Sequence, residues 1–202
     1  MSVETGSAVY VPVGHKQEEG LQLDLRDVQE ILGPIFSDAS IGKVCHNAKY
    51  DMIILERHGL PVQGLMDDTM LAAWILAPSG RGISLREQVW QRFGVEMTET
   101  SALIGSGRQQ TTMDKVSIAR VSEYACADAD MTLRLRDLLL KELEERNQLR
   151  LYRELEVPLV PVLKAMEMHG VLVDTAYLKE MSRVIGEWIA DLEQKIYDMV
   201  GH

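Results

Sequence analysis

Two short stretches decide the fold and the chemistry of this chain: His46-Asn-Ala-Lys-Tyr-Asp51 and Tyr124-Ala-Cys-Ala-Asp128. In each stretch a hydrogen-bonding side chain lies four residues before an aspartate, and residues four apart share one face of an α-helix. If two such faces meet, they bring together two carboxylates, an amide and a phenol. Oxygen donors of this kind suit hard divalent cations and a phosphate substrate.

Composition sets limits on the class of protein. The 202 residues, 46% of them hydrophobic, suffice for one full domain and part of another. No apolar run is long enough to span a membrane and no signal peptide is evident, so we expect a cytoplasmic protein without a membrane partner. The formal charge of -10 argues against a broad electrostatic grip on nucleic acid. It still permits a small site where metal ions neutralise a phosphate.

Apolar periodicity predicts strands that alternate with helices. Strands are expected over 8–13, where a turn at residues 4–7 would complete a hairpin, and over 41–45 and 60–66. Helices are expected over 24–36, 48–58, 69–76, 84–93, 117–147, 149–169 and 175–200, and a loop over 100–112. Since only helices follow residue 147, the pattern indicates an α/β domain over 1–147 and an α-helical segment over 148–202.

Several polar residues have structural explanations of their own. Asn47 is a suitable N-cap for the helix that follows it. Either Asp67 or Asp68 is expected to cap the next helix, which Pro78 and Gly80 would end. Asp130 is expected to face away from Asp128 and to form a structural hydrogen bond.

The order of the motifs resembles a known family. His46–Asp51, then Asp68-Thr-Met-Leu71, then Tyr124-Ala-Cys-Ala-Asp128-Ala-Asp-Met-Thr-Leu133 resemble the 3′–5′ proofreading exonuclease domain of bacterial family A DNA polymerases. Glu154–Pro161 and Met166–Asp174 resemble the start of the polymerase domain, at the base of its thumb. The resemblance covers nearly the whole chain. It implies a ribonuclease-H-like α/β fold, in which helices flank a mixed sheet.

The resemblance also implies roles for individual residues. Asp128 and Asp51 would be metal ligands for Mg²⁺ or Mn²⁺, and with Tyr124, which would orient the attacking water, they would form the catalytic set. The partner would be the single-stranded 3′ end of DNA. The residues expected to contact that DNA are His46, Asn47, Tyr50 and Met113.

The family's first motif, Asp-x-Glu on a central strand, has no counterpart in this chain. Ser2-Val3-Glu4-Thr5 is superficially similar, but residues 3–13 align with a later segment of the family. The resemblance therefore implies a domain that lacks its first strand, an incomplete two-metal site and an isolated chain with little activity. Exposed sheet edges and the C-terminal helices would then favour self-association.

Two other functions compete with hydrolysis of DNA. The domain could be a catalytically dead scaffold or DNA-binding platform of a family A polymerase, although Asn47, Asp51, Tyr124 and Asp128 are all present. It could also resemble an RNA-trimming exonuclease, but the polymerase-like segment from Glu154 argues against that class.

Overall fold

A computed structural model describes residues 1–16, 22–77 and 81–201. The chain divides into two units, Met1–Met168 and His169–His202. The helices that begin in the first unit are α1 (Leu25–Ser37), α2 (Ala48–Arg57), α3 (Thr69–Leu76), α4 (Leu85–Phe93), α5 (Thr100–Ile104), α6 (Ile118–Glu145), α7 (Leu149–Leu151) and α8 (Val157–His169). Short 3₁₀ turns cover Gly107–Gln109 and Met113–Lys115, and a π-helical turn covers Tyr152–Glu156.

Most of the predicted helices are confirmed to within two residues at each end. The predicted loop over 100–112 is wrong in part, because Thr100–Ile104 is helical and buries Leu103. The predicted end of α3 at Pro78 and Gly80 lies outside the described residues. No helix of the described ranges is long and apolar enough to cross a membrane.

The sheet of the described residues is small and parallel. Strand β1 (Lys43–Cys45) pairs with β2 (Leu65–Asp68), and α2 forms the connection between them. Within the described residues this parallel pair is the part of the expected mixed sheet that is present, and the strand predicted over 60–66 lies several residues later. Gly64 fixes this later start: its φ is +70°, and a Cβ there would lie 2.8 Å from two backbone oxygens.

The N-terminal segment forms a turn but not the predicted strand over 8–13. Met1 and Val9 exchange two backbone hydrogen bonds of 2.7 and 2.8 Å around a bridge between Glu4 and Ser7, so the hairpin turn is present. Apart from this bonding at Val9, residues 8–13 join no ladder. A strand is defined by pairing with a neighbour, and an alternating apolar pattern cannot supply that neighbour.

The main core forms where α6 packs on α3 and α4. Leu135, Leu139 and Leu143 are fully buried along one face of α6, against Ala73 and Val89. This spacing of four residues is the apolar stripe expected of a helix that packs on one side. The opposite end of α6 is thereby held in a fixed position, and that end carries Tyr124 and Asp128.

The second unit consists of an extended segment and α9 (Thr175–Val200). The Asp174 carboxylate caps the helix by accepting a 2.9 Å hydrogen bond from the Tyr177 N–H. One stripe of α9 is apolar and exposed, including Ile185, Trp188 and Leu192.

Candidate active site

The His46–Asp51 stretch is held in place by a carboxylate that lies outside it. Asp68 is buried at the end of β2 and accepts hydrogen bonds from the N–H groups of Asn47 (3.1 Å), Ala48 (2.7 Å) and Met70 (2.9 Å). It therefore caps α2 and α3 together. The prediction that the Asn47 side chain caps α2 is wrong: Asn47 adopts a left-handed φ of 73°, and its side chain forms no capping bond.

Asp51 lies in the first turn of α2, about one helical turn after Asn47. Its carboxylate is half-buried and forms no ion pair within the described ranges. Burial, reinforced by the negative charge of Asp68, raises the pKa of Asp51 to about 6. Partial burial without a nearby cation destabilises the ionised form of a carboxylate, and a bound cation would stabilise that form.

Tyr124 and Asp128 lie one turn apart on α6 and are both half-buried. Burial raises the pKa of Asp128, and a hydrogen bond from the Tyr124 hydroxyl partly offsets that rise. Burial also raises the pKa of Tyr124, so the phenol is protonated at neutral pH. A third group joins this pair, since Thr100 Oγ1 lies 3.1 Å from the Tyr124 hydroxyl oxygen.

The two motifs converge on one groove of about 750 Å³. Asp51 from α2 and Tyr124 and Asp128 from α6 all line it, and His46 and Cys45 line it at the end of β1. Burial, first of all, raises the pKa of the Cys45 thiol to about 12, so this cysteine is an inert part of the wall.

The four residues expected to contact DNA lie in different places. His46 lines the groove, but its Nδ1 is 2.9 Å from Thr69 Oγ1, and burial lowers its pKa. Asn47 and Tyr50 do not line the groove, and Tyr50 is 61% exposed. Met113 packs in an apolar cluster that also touches Tyr124.

The structure contains a buried ion cluster that was not predicted. The carboxylate of Asp67 has no exposed surface and pairs with Arg136 Nε and Arg153 Nη1, both at 2.7 Å. The Tyr152 hydroxyl donates to the same carboxylate at 3.1 Å and accepts from the Asp68 N–H at 2.8 Å. Two adjacent aspartates after an apolar strand were the available signal. The arginines, 69 and 86 positions further along, could not be assigned to them.

The predicted Asp130 bond is confirmed. Its carboxylate accepts from the Gly6 N–H at 2.6 Å and pairs with Arg134 at 2.9 Å. Asp130 therefore ties the N-terminal turn to α6 and does not line the groove.

The groove fits a divalent cation in donor type but not in donor number. Asp51 and Asp128 supply the hard oxygen ligands that Mg²⁺ and Mn²⁺ prefer. Within the described ranges, however, no group of three His, Cys, Asp or Glu side chains could hold a metal ion. The two carboxylates alone therefore do not make up a metal site within the described ranges.

The chain is similar in sequence to known proteins. Residues 1–144 match the sequence profile of a family described as 3′-5′ exonuclease. The chain is 36% identical to DNA polymerase I of Chloroflexus aurantiacus and 35% identical to that of Pseudomonas aeruginosa. These alignments cover 100% and 99% of the chain but only 21% and 22% of the relatives, so the chain spans about a fifth of their length.

Solved structures are similar in fold. One is described as the POL domain of Pol1 from M. smegmatis in complex with DNA primer-template and dNTP. Its TM-score is 0.64 at 23% identity, and the match covers 87% of this chain and 27% of that one. Another, described as the apo form of the nuclease, has a TM-score of 0.56 at 18% identity over 69% of this chain and 64% of that one. From the family match over residues 1–144 and the identity to these relatives, the chain belongs to the 3′–5′ exonuclease family that includes DNA polymerase I.

Proposed function

We propose that the groove is part of a site that hydrolyses the 3′-terminal nucleotide of DNA with Mg²⁺ or Mn²⁺. The observation that carries this proposal is the presence of two half-buried carboxylates, Asp51 and Asp128, on the wall of one groove with the Tyr124 phenol. Burial raises the pKa of both carboxylates, as is expected for partly buried acidic groups without a bound cation. The family and the domain's relatives support the same reaction class.

Each side chain has a defined task in this proposal. Asp51 and Asp128 would hold the cations, which supply a nucleophilic hydroxide at neutral pH and neutralise charge at the phosphate. The Tyr124 hydroxyl, one turn before Asp128, holds the attacking water in line. His46, Asn47, Tyr50 and Met113 contact the terminal nucleotides, and the exposed Tyr50 ring is suited to stacking on a base.

Two carboxylates cannot complete a site of this kind, so we propose that further carboxylates come from a segment outside the described residues. The corresponding fold is ribonuclease-H-like, with a further central strand that contributes those ligands. In the same scheme residues 1–147 are the exonuclease domain and residues 148–202 begin the polymerase domain. The buried contacts of Tyr152 and Arg153 with Asp67 attach the first residues of the second segment to β2.

One observation favours a second function. The groove of the described residues lacks a third ligand, as would a domain that serves as a non-catalytic scaffold or DNA-binding platform. The two functions differ in one measurable property, since only the hydrolytic site needs a divalent cation at Asp128.

Manganese binding separates the two functions. We expect Mn²⁺ to bind the 202-residue chain weakly and to broaden the amide resonances around Asp128 and Asp51. Asp128→Asn should abolish this broadening, while Asp137→Asn, an exposed change on the same helix, should leave it intact. Broadening that survives Asp128→Asn, or that centres on His58, would contradict the carboxylate site.

Hydrolysis provides the second test. We expect the chain alone to remove 3′-terminal nucleotides from single-stranded DNA at least about 100-fold more slowly than a longer protein that supplies the missing ligands, because one metal lacks its full shell. Asp128→Ala should remove the residual activity. A rate equal to that of the longer protein would show that the 202 residues already contain a complete site.

A further inference from the structure

The Tyr124 hydroxyl has a second partner, Thr100, the first residue of α5. Thr100 Oγ1 lies 3.1 Å from the Tyr124 hydroxyl oxygen, and the Asp128 carboxylate, one turn further along α6, acts on the pKa of the same phenol. We propose that Thr100 is a positioning residue whose hydroxyl fixes the direction of the Tyr124 O–H bond. Its contribution to catalysis rests on the proposed function of the groove, but the contact itself does not.

The direction of each hydrogen bond follows from the number of protons available. An ionised Asp128 carboxylate only accepts, so in the proposed arrangement the single phenolic proton of Tyr124 points to it. Thr100 must then be the donor to the phenol oxygen. This arrangement leaves one lone pair of the Tyr124 oxygen for a water in the groove. The phenol can accept from that water only while its own proton is committed to Asp128.

The electrostatic effects at Tyr124 agree with these directions. The bond from Thr100 lowers the pKa of the phenol, as a donor to its oxygen should, and the bond to Asp128 raises it. Two opposing bonds therefore act on one hydroxyl. Removing Thr100 would leave the O–H group free to rotate between Asp128 and the solvent.

The segment that carries Thr100 is anchored on both sides. Leu103 buries its side chain against Val116 and Val121, and Arg120 donates to the Ala102 carbonyl at 2.8 Å. Glu99, directly before Thr100, forms an ion pair with Arg86. These contacts hold the first turn of α5 against α6. Thr100 itself is exposed, so its hydroxyl can be removed at little cost in stability.

The contact can be tested in the 202-residue chain without any activity. Tyrosine labelled with ¹³C at Cζ reports on the hydrogen bonding of each phenol at a fixed pH of 7, and Tyr124→Phe assigns the relevant signal. We expect Thr100→Val to shift the Tyr124 signal and to accelerate exchange of its hydroxyl proton. Thr100→Ser keeps the hydroxyl and should restore both values. An unchanged Tyr124 signal in a folded Thr100→Val protein would overturn the proposal.

Single-turnover hydrolysis with Mn²⁺ and excess protein tests the consequence for catalysis. We expect Thr100→Val to lower the rate at saturating oligonucleotide by about threefold to tenfold, the factor that one neutral hydrogen bond is worth, with half-saturation unchanged. Thr100→Ser should recover the rate. An equal rate in Thr100→Val despite a shifted Tyr124 signal would overturn the positioning role. In the longer protein that supplies the missing ligands, a wild-type rate equal to that of Asp128→Ala would instead refute the proposed function.

Discussion

Asp51 and Asp68 are neighbouring carboxylates that differ in their hydrogen bonding. Asp68 is fully satisfied, since it accepts several backbone N–H groups at two helix starts. Asp51 is half-buried near that negative charge and has no cation beside it in the described structure. The first carboxylate stabilises the local fold, and the second is held in an environment that disfavours its ionised form.

The raised pKa of Asp51 gives a pH-dependent prediction. Because its folded pKa of about 6 lies above the ordinary value of 3.8, the unfolded chain releases this proton first as the pH rises. The protonated Asp51 side chain therefore stabilises the folded state below pH 4, and this contribution is lost as the pH rises through 6. We expect Asp51→Asn to raise the free energy of unfolding by about 1–3 kcal/mol at pH 7.5, and by less at pH 4, in metal-free denaturant titrations.

The control for this change is Asp27→Asn, which alters an exposed aspartate of α1. It should give no comparable gain at either pH. An Asp51→Asn protein that is no more stable at pH 7.5 than at pH 4, relative to the wild type, would contradict the buried-carboxylate account.

Asp68 gives a second prediction at the same scale. We expect Asp68→Ala to lower the free energy of unfolding by about 2–4 kcal/mol, because two helix starts lose their cap and buried N–H groups lose their acceptor. Asp24→Ala removes an exposed cap at a single helix, α1, and should cost about 1 kcal/mol. Equal losses for the two variants in urea titrations would show that Asp68 caps only one helix.

At the scale of elements, the π-helical turn Tyr152–Glu156 joins α7 to α8. Pro158 and Pro161 follow this turn. Because proline has no backbone N–H, neither residue can donate the hydrogen bond of a regular α-helix, and the π-helical hydrogen bonding lies directly before them. The turn directs Tyr152 into the core and places Arg153 on Asp67. The buried Asp67 carboxylate of β2 thus connects the sheet to α6, through Arg136, and to the π-helical turn, through Arg153.

Tyr152→Phe tests this connection. The change keeps the ring in the core but removes the hydroxyl between Asp67 and the Asp68 N–H. We expect the free energy of unfolding to fall by about 1–3 kcal/mol, because two buried polar groups lose a partner. Tyr197→Phe on the exposed face of α9 is the matched control and should change stability by less than about 0.5 kcal/mol. Similar losses in both variants would refute the role of the hydroxyl.

At the scale of the whole molecule, exposed apolar surface is found in each unit. In the second unit, Ile185, Trp188 and Leu192 follow one stripe of α9, and Trp188 is 66% exposed. An amphipathic helix normally buries such a stripe. In the first unit, Val9 is exposed in the segment that joins no sheet.

We therefore expect the chain to self-associate at high micromolar concentration. Sedimentation velocity should show species larger than the monomer, and Ile185→Ser with Trp188→Ser should reduce them, because the apolar stripe of α9 is lost. Glu187→Gln, on the polar side of the same helix, should leave them unchanged. A chain that is strictly monomeric at this concentration would contradict the prediction.

The sequence by itself determined the helices, the order of the motifs and the family. These are local properties: apolar spacing, capping residues and motif strings depend on neighbours a few positions away. The helix starts at Leu85 and Thr175 were therefore predicted to within one residue. The spacing of Tyr124 with Asp128 also indicated one of the two faces that line the groove.

Only the tertiary structure decided which distant groups meet and which strands pair. Residues 8–13 form no strand, because pairing depends on a neighbouring strand and not on their own apolar pattern. Asp68 displaced the Asn47 side chain as the cap of α2 because β2 ends directly below that helix start. Asp67 met Arg136 across 69 positions, and Thr100 met Tyr124 across 24. Such contacts are fixed by the packing of α6 on its neighbours, which no local pattern encodes.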